Sequence, residues 1–318
     1  MLIKLQTTDA SSIPMHLAAN GRCRTCDKLN PYVQPPDDMD WGTTSRCECD
    51  EPNPVPIIEP PSHFYGKTVA ICGAGPSLKE QYKIVRKADH VWGCNRAANY
   101  LSDWGWKLTH AFGIDAGTGM FEDCWLDPPK VSEQYLLATS VHPRLVDHIL
   151  EAGHDVRLFH SVRGGVKDEM KLFNLLYPPA PVAGNGLNSV NRALGLAAQL
   201  GYRHAWICGA DNALSGDAFY ADGSPKTSDP NVKYFTGTVH GRQWKTTIDM
   251  LMSACDLARI KWQYGDWLTL VGNTLPRALS RTSEAFLDRC ARWAKPEELP
   301  NGNVAEATVA KATVALVD

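Results

Sequence analysis

Three groups of residues in this 318-residue chain have the types and the spacing for chemistry. The first is Gly73-Ala-Gly-Pro-Ser77, which follows the apolar, β-rich run Thr68–Cys72. Two glycines two positions apart let the backbone bend sharply and come close to a ligand. Pro76 suits a first helical turn, and the amides that open a helix attract phosphate. The stretch predicts strand, tight turn and helix with a nucleotide at the turn; a ligand-free βα turn is the plainer reading. The dinucleotide fingerprint is incomplete, because Leu78 replaces its third glycine and Asn95 its acid. The full phosphate-loop pattern, a glycine and four further residues ahead of Gly-Lys-Ser/Thr, does not occur in the chain.

The second group is His240 with Arg242 and Lys245. A histidine titrates near neutral pH and can take a proton from an attacking hydroxyl, or it can simply cap the helix that follows. Arg242 and Lys245, on the same turn, can neutralise a leaving phosphate or merely be solvated. The third group is Cys23-Arg-Thr-Cys26 with Cys47-Glu-Cys49. Two close pairs can give four thiolates to one tetrahedral structural Zn, which would hold together a segment too poor in apolar residues to fold alone. Reduced free cysteines are the alternative. Asp115 and Asp211 are also candidates: facing a triphosphate they suit Mg²⁺, and otherwise they cap the next turn.

These side chains need a scaffold to converge on. Strand-like runs at Thr68–Cys72, His90–Cys94, Thr109–Gly113, Gln134–Ala138, Val156–Phe159 and Arg203–Cys208 are spaced by helix-like segments such as Lys79–Lys87, Pro143–Ala152 and Asn185–Leu200. The expected fold class is α/β: a Rossmann-like, mostly parallel sheet with helices on both faces, plus a small N-terminal zinc-binding module of four cysteines. Ligands of such sheets sit beyond the C-terminal strand ends. The nucleotide-binding candidates are therefore Gly73, Ala74, Gly75, Pro76, Ser77, Asn95, Asp115 and Asp211, with Asn188 and Ser189 near the start of the Asn185–Leu200 helix.

Three segments follow. Residues 1–62 are the Cys-rich part and a linker, stiffened by five prolines between Pro52 and Pro61. Residues 63–280 form the nucleotide-binding domain, and 281–318 a C-terminal helix and tail. Ser161–Ala183 reads as a loop or small lid, Asn212–Val239 as a long polar loop, Thr246–Ala258 as an amphipathic helix, and Ile260–Tyr264 and Trp267–Val271 as late strands.

Four features occur in one order: Ile71-Cys-Gly-Ala-Gly-Pro-Ser-Leu-Lys79, Gly93-Cys-Asn95, the stretch from Ala193 to Asp211, and Gly237-Thr-Val-His240. Over about Lys67 to Pro276 the chain resembles the bacterial CMP-sialic-acid-dependent sialyltransferases. Their superfamily includes the flagellin glycosyltransferases called motility accessory factors and the archaeal hydroxymethylpterin pyrophosphokinases. The resemblance implies a transferase that moves a sugar from a nucleotide-sugar donor to an acceptor hydroxyl, in a single inverting displacement. It places the nucleotide phosphate at Gly73–Ser77, a nucleotide contact at Asn95 and the general base at His240. Tyr177, Tyr220 and Tyr234 are candidates for the family's phosphate-contacting tyrosines. Ala74 departs from the pattern, standing where those enzymes carry asparagine. Two rival functions are an ATP- and Mg²⁺-dependent pyrophosphokinase using Asp115 and Asp211, and a non-catalytic nucleotide-binding scaffold.

With 44% hydrophobic and 21% charged residues the chain can bury a full core, and a formal charge of −3 leaves any nucleic-acid surface local. No apolar run reaches a membrane span and no signal-peptide core opens the chain, so a cytoplasmic protein is expected.

Overall fold

The computed structural model describes residues 64–115, 119–161, 181–184, 186–224 and 234–293, with the pairs 12–13 and 55–56 and residue 58. Cys23, Cys26, Cys47 and Cys49, Tyr177, most of the Ser161–Ala183 loop and the tail after 293 lie outside the described residues. No helix among the described residues is long and apolar enough to cross a membrane.

Two short strands, β1 (Ser12–Ile13) and β2 (Val55–Pro56), pair antiparallel. The main sheet opens with β3 (Thr68–Cys72), β4 (His90–Cys94) and β5 (His110–Gly113). It continues through β6 (Gln134–Ala138), β7 (Val156–Ser161) and β8 (Val182–Ala183), then β9 (His204–Cys208). A hairpin of β10 (Phe235–Val239) and β11 (Arg242–Thr246) and a last sheet strand, β12 (Leu268–Leu270), complete the strands among the described residues. The eight-stranded sheet runs β12-β9-β3-β4-β5-β6-β7-β8, and its pairings are all parallel. Every residue of β3, β4 and β6 is buried, as strands covered on both faces must be.

This order decides where a crevice lies. From β3 the chain builds β4 to β8 outward on one side, then returns to place β9 on the other. The connections leaving β3 and β9 diverge there, so the carboxyl ends of these two strands form the topological switch point at which α/β sheets bind ligands.

The helices are α1 (Tyr82–Val85), α2 (Arg96–Asp103), α3 (Pro143–Glu151), α4 (Ser189–Gln199), α5 (Ile248–Tyr264), α6 (Leu275–Leu279) and α7 (Glu284–Trp293). Helix α4 packs Ala193, Leu194, Leu196 and Ala197 into the main core at 0% exposure. A second, smaller core joins Val239 and Trp244 of the hairpin to Leu251, Cys255 and Ala258 of α5, Leu275 and Leu279 of α6 and Leu287 of α7.

The structure corrects several expected elements. Ile260–Tyr264 is the last stretch of α5, not a strand: the helix runs from its Thr247 cap until Gly265 takes φ 55°, a conformation that suits glycine. The end of the polar Asn212–Val239 segment is strand β10, and Arg242 and Lys245 lie on β11 rather than on a turn. Lys79–Lys87 is instead a 3₁₀ turn, Pro76–Gln81, followed by the short α1. Helix α4 starts at Ser189, because Asn188 accepts the Asn191 N–H and caps it there. Within the proline-rich stretch, Ile58 is 2% exposed and its N–H donates to the Leu158 carbonyl at 3.0 Å, so this point of the chain is docked on β7.

Candidate functional site

The two glycines at the switch point are pressed against each other. A Cβ on Gly73 would stand 2.7 Å from the Gly209 carbonyl oxygen, and one on Gly209, which has φ 60°, would overlap the Gly73 carbonyl. The Gly73 N–H donates to the Cys208 carbonyl and the Gly75 N–H to the Gly209 carbonyl, both at 2.8 Å. No other residue type allows this approach of β3 to β9.

Asp211 follows Gly209 by two residues and reaches back over the turn. Its Oδ2 accepts the Ser77 N–H and the Ser77 hydroxyl, each at 3.0 Å. Burial raises the Asp211 carboxyl above its ordinary pKa, against the opposing effect of these two bonds. Gln81, 5% exposed, holds the arrangement from behind: its Nε2 donates to Ser77 Oγ at 2.7 Å and its Oε1 accepts the Gly209 N–H at 2.9 Å. Sequence reasoning missed Gln81, although its position one helical turn after Ser77 is the signal for such a latch.

These bonds answer the expectation that free amides at the turn await a phosphate. The amides of Gly73, Gly75, Ser77 and Leu78 all have protein acceptors. Among the described residues, the Ala74 N–H is the amide of the Gly73–Ser77 turn left without one. The Ala74 carbonyl in turn accepts the Ala221 N–H at 2.9 Å, which pins the segment around Tyr220 over the turn.

Asn95, just past β4, is the other unusual corner. It holds φ 48° and ψ −123°, a region that costs a non-glycine residue roughly 1–3 kcal/mol. Gly93 makes the corner feasible, because a Cβ there would stand 2.6 Å from Ala98 Cα of α2. The Asn95 Nδ2 donates to Asp115 Oδ2 at 2.6 Å, while its Oδ1 is buried with no hydrogen-bond partner. Its carbonyl accepts from Trp125 Nε1 at 3.2 Å. A π-helical turn, Met120–Cys124, lies beside it; such turns recur at functional sites.

A cavity of about 700 Å³ joins these corners, within the range of small-molecule sites. Of the nucleotide candidates read from the sequence, Gly73, Ala74, Gly75, Asn95, Asp115, Asn188, Ser189 and Asp211 line it; Pro76 and Ser77 do not. Asn188 contributes as the cap of α4, its Nδ2 bonded to Ser253 Oγ. Among the described residues the wall carries one guanidinium, Arg96, which lies 4.7 Å over the Tyr220 ring, against the carboxylates of Asp115, Asp211 and Asp249. Of the three tyrosines singled out, Tyr220 lines the cavity and Tyr234 does not.

His240, Arg242 and Lys245 are not in this lining. His240 and Gly241, with φ 47° and 71°, form the tight turn of the β10–β11 hairpin. The His240 Nε2 lies 3.2 Å from the Ala278 carbonyl of α6. Arg242 stacks 4.1 Å over the Trp244 ring and donates to the Asn273 carbonyl, and Lys245 pairs with Asp217 at 2.9 Å. The hairpin stays on the carboxyl side of the sheet: just past Asp211, the Leu214 N–H donates to the Lys245 carbonyl at 2.8 Å and the Asn212 carbonyl accepts the Thr246 hydroxyl at 2.7 Å.

The fold so defined is an α/β fold with a parallel central sheet and a cavity at its switch point. No protein-family model matches the sequence, and no curated protein matches it. Among solved structures, the chain is similar to the MAf glycosyltransferase from Magnetospirillum magneticum AMB-1, at 16% identity and a TM-score of 0.47. The likeness covers 75% of this chain and 39% of that one, so this chain spans well under half of that neighbour's length.

Proposed function

We propose that the chain is a nucleotide-dependent transferase, in the first reading a glycosyltransferase that takes a sugar from a nucleotide-sugar donor. The observation that supports this most is the cavity at the β3–β9 switch point, which gathers Ala74, Asn95, Ser189 and Asp211 from four separate strand ends and loops. In this reading the Ala74 amide, the first amides of α4 and the Arg96 guanidinium receive phosphate oxygens, and the Asn95 amide orients the nucleoside. The proton acceptor is assigned to Asp211, a wall carboxylate whose raised pKa favours general-base work. His240 remains the rival base carried by the family resemblance, and the turnover of Asp211→Asn against His240→Ala separates them.

One observation favours a second reading. Among the described residues, three carboxylates against one guanidinium make a poor wall for a bare phosphate. A nucleotide arriving with Mg²⁺ between Asp115 and Asp211 would balance them, as a pyrophosphokinase requires. The structural Zn at Cys23, Cys26, Cys47 and Cys49 stays a proposal of the sequence, as does the cytoplasmic location; the sequence leaves the acceptor open among a glycan, a protein, a small molecule and a modified nucleic acid.

The test is a thermal-shift screen of the full chain with CMP, UMP, GMP, ATP and nucleotide-sugars, with and without Mg²⁺. The first reading expects a nucleotide-sugar to stabilise the protein without Mg²⁺ and Gly75→Ala to abolish the shift, because the new Cβ would overlap the Asp211 carboxylate. ATP binding that requires Mg²⁺ moves the assignment to the second. No response to any nucleotide sinks both.

A further inference from the structure

The amino-terminal ends of the sheet strands, opposite the nucleotide cavity, carry a cluster that the cavity does not use. His90 is the first residue of β4, His110 the first of β5, and Glu133 immediately precedes β6, so three successive strands begin with a potential metal ligand. One donor atom from each lies within 4.8 Å of the others. The His90 Nε2 is 3.3 Å from one Glu133 oxygen and the His110 Nε2 is 3.3 Å from the other. Ligands on a tetrahedral ion with bonds of about 2.0–2.2 Å stand roughly 3.3–3.5 Å apart, so these separations match a shared ion.

The outer hydrogen bonds orient both rings. Thr109 Oγ1 gives its one hydrogen to the Val91 carbonyl at 2.8 Å, so toward His110 Nδ1, at 2.9 Å, it acts as acceptor. Nδ1 therefore carries the hydrogen, and a neutral His110 ring directs its Nε2 lone pair at the carboxylate. In that form the ring presents a donor atom to an ion held beside the carboxylate. The His90 Nδ1 is likewise held, 2.6 Å from the Tyr202 hydroxyl, and metal-ligating histidines are usually anchored through the second nitrogen in this way. Phe64 packs against both rings, with centroids at 5.6 and 5.5 Å. Glu133 is partly exposed, which leaves a path for an ion to enter.

We propose that His90, His110 and Glu133 form a divalent-cation site, matched to Zn²⁺ by its two imidazoles and one carboxylate, that ties the leading ends of β4, β5 and β6 together. Lys67 Nζ, 3.2 Å from His90 Nε2, competes with the ion for that nitrogen.

The experiment uses the full chain with Cys23, Cys26, Cys47 and Cys49 all changed to serine, so that the N-terminal cysteine site cannot contribute, and titrates it with Zn²⁺ by calorimetry. One Zn²⁺ per chain is expected, with a rise in Tm. His110→Gln or Glu133→Gln in the same background should weaken binding by at least about tenfold. Lys67→Met should tighten it, an effect that a purely structural ion pair would not produce. Absence of Zn²⁺ binding in the serine background overturns the proposal, and so does binding indifferent to both His110→Gln and Glu133→Gln. Should His110→Gln not fold, Lys67→Met decides: binding no tighter than in its parent is also an overturning result.

Discussion

Asp211 takes both hydrogens of Ser77, backbone and hydroxyl, on a single carboxylate oxygen. This bond pair ties the turn after β3 to the end of β9, across 134 residues of sequence. It closes a helix start that would otherwise receive an anion, and it leaves a buried carboxylate in the wall of the cavity.

The sign of the resulting pH dependence follows from the direction of its pKa. Asp211 is raised in the folded state, so between its unfolded and folded values the native protein holds more protons than the unfolded chain. Its contribution to stability is present at low pH and falls as pH rises through that window. Asp211→Asn should flatten this part of the stability curve relative to the parent, while lowering turnover by at least about a hundredfold if it is the general base. Urea melts at stepped pH, and initial rates, check the two arms.

Gly73→Ala forces a methyl against the Gly209 carbonyl and should cost about 1–3 kcal/mol. Gly237→Ala is the control: a Cβ there meets nothing within 4 Å, and its φ is not in the left-handed region. Its denaturation midpoint should match or exceed the parent's.

Asn95 divides strain from function. Asn95→Gly should relieve the φ 48° corner and raise stability by roughly 1 kcal/mol, yet weaken nucleotide binding because the amide that bonds Asp115 is gone. Asn95→Ala keeps the strain and loses the amide, so it should be destabilised as well. Chemical denaturation with ligand titration on both variants reads the difference.

At the hairpin tip, His240→Asn should stabilise the protein by a few tenths of a kcal/mol, roughly, because Asn-Gly is the favoured pair for a turn with two positive φ values. If Asp211 is the base, His240→Ala keeps near-parental turnover. Loss of turnover in a folded His240→Ala would return the base to the hairpin.

Asn188→Ala removes the cap of α4 and its bond to Ser253, and should cost about 1 kcal/mol. Thermal melts of the unliganded protein test this, since the loss should not require nucleotide.

Much of the scaffold is legible along the chain. Apolar runs such as Thr68–Cys72 and Gln134–Ala138 are buried on both faces and read as strands, and glycines mark the bends between them. Periodicity also marks α4, whose apolar positions repeat at helical spacing. It misread Ile260–Tyr264, where a β-branched and aromatic stretch is carried on as helix by the α5 residues before it.

Local pattern is blind to whatever depends on distance in space. Nothing near Ser77 announces that its amide and hydroxyl belong to Asp211, and nothing near His240 announces that its ring rests on Ala278. His90, His110 and Glu133 are separate residues at three strand starts until the parallel register lays those starts side by side. Composition and spacing dictate which segments become strands and helices, because those choices rest on neighbouring residues. Which donors meet which acceptors is set when the sheet assembles, since packing alone brings strand ends from far along the chain within hydrogen-bonding reach.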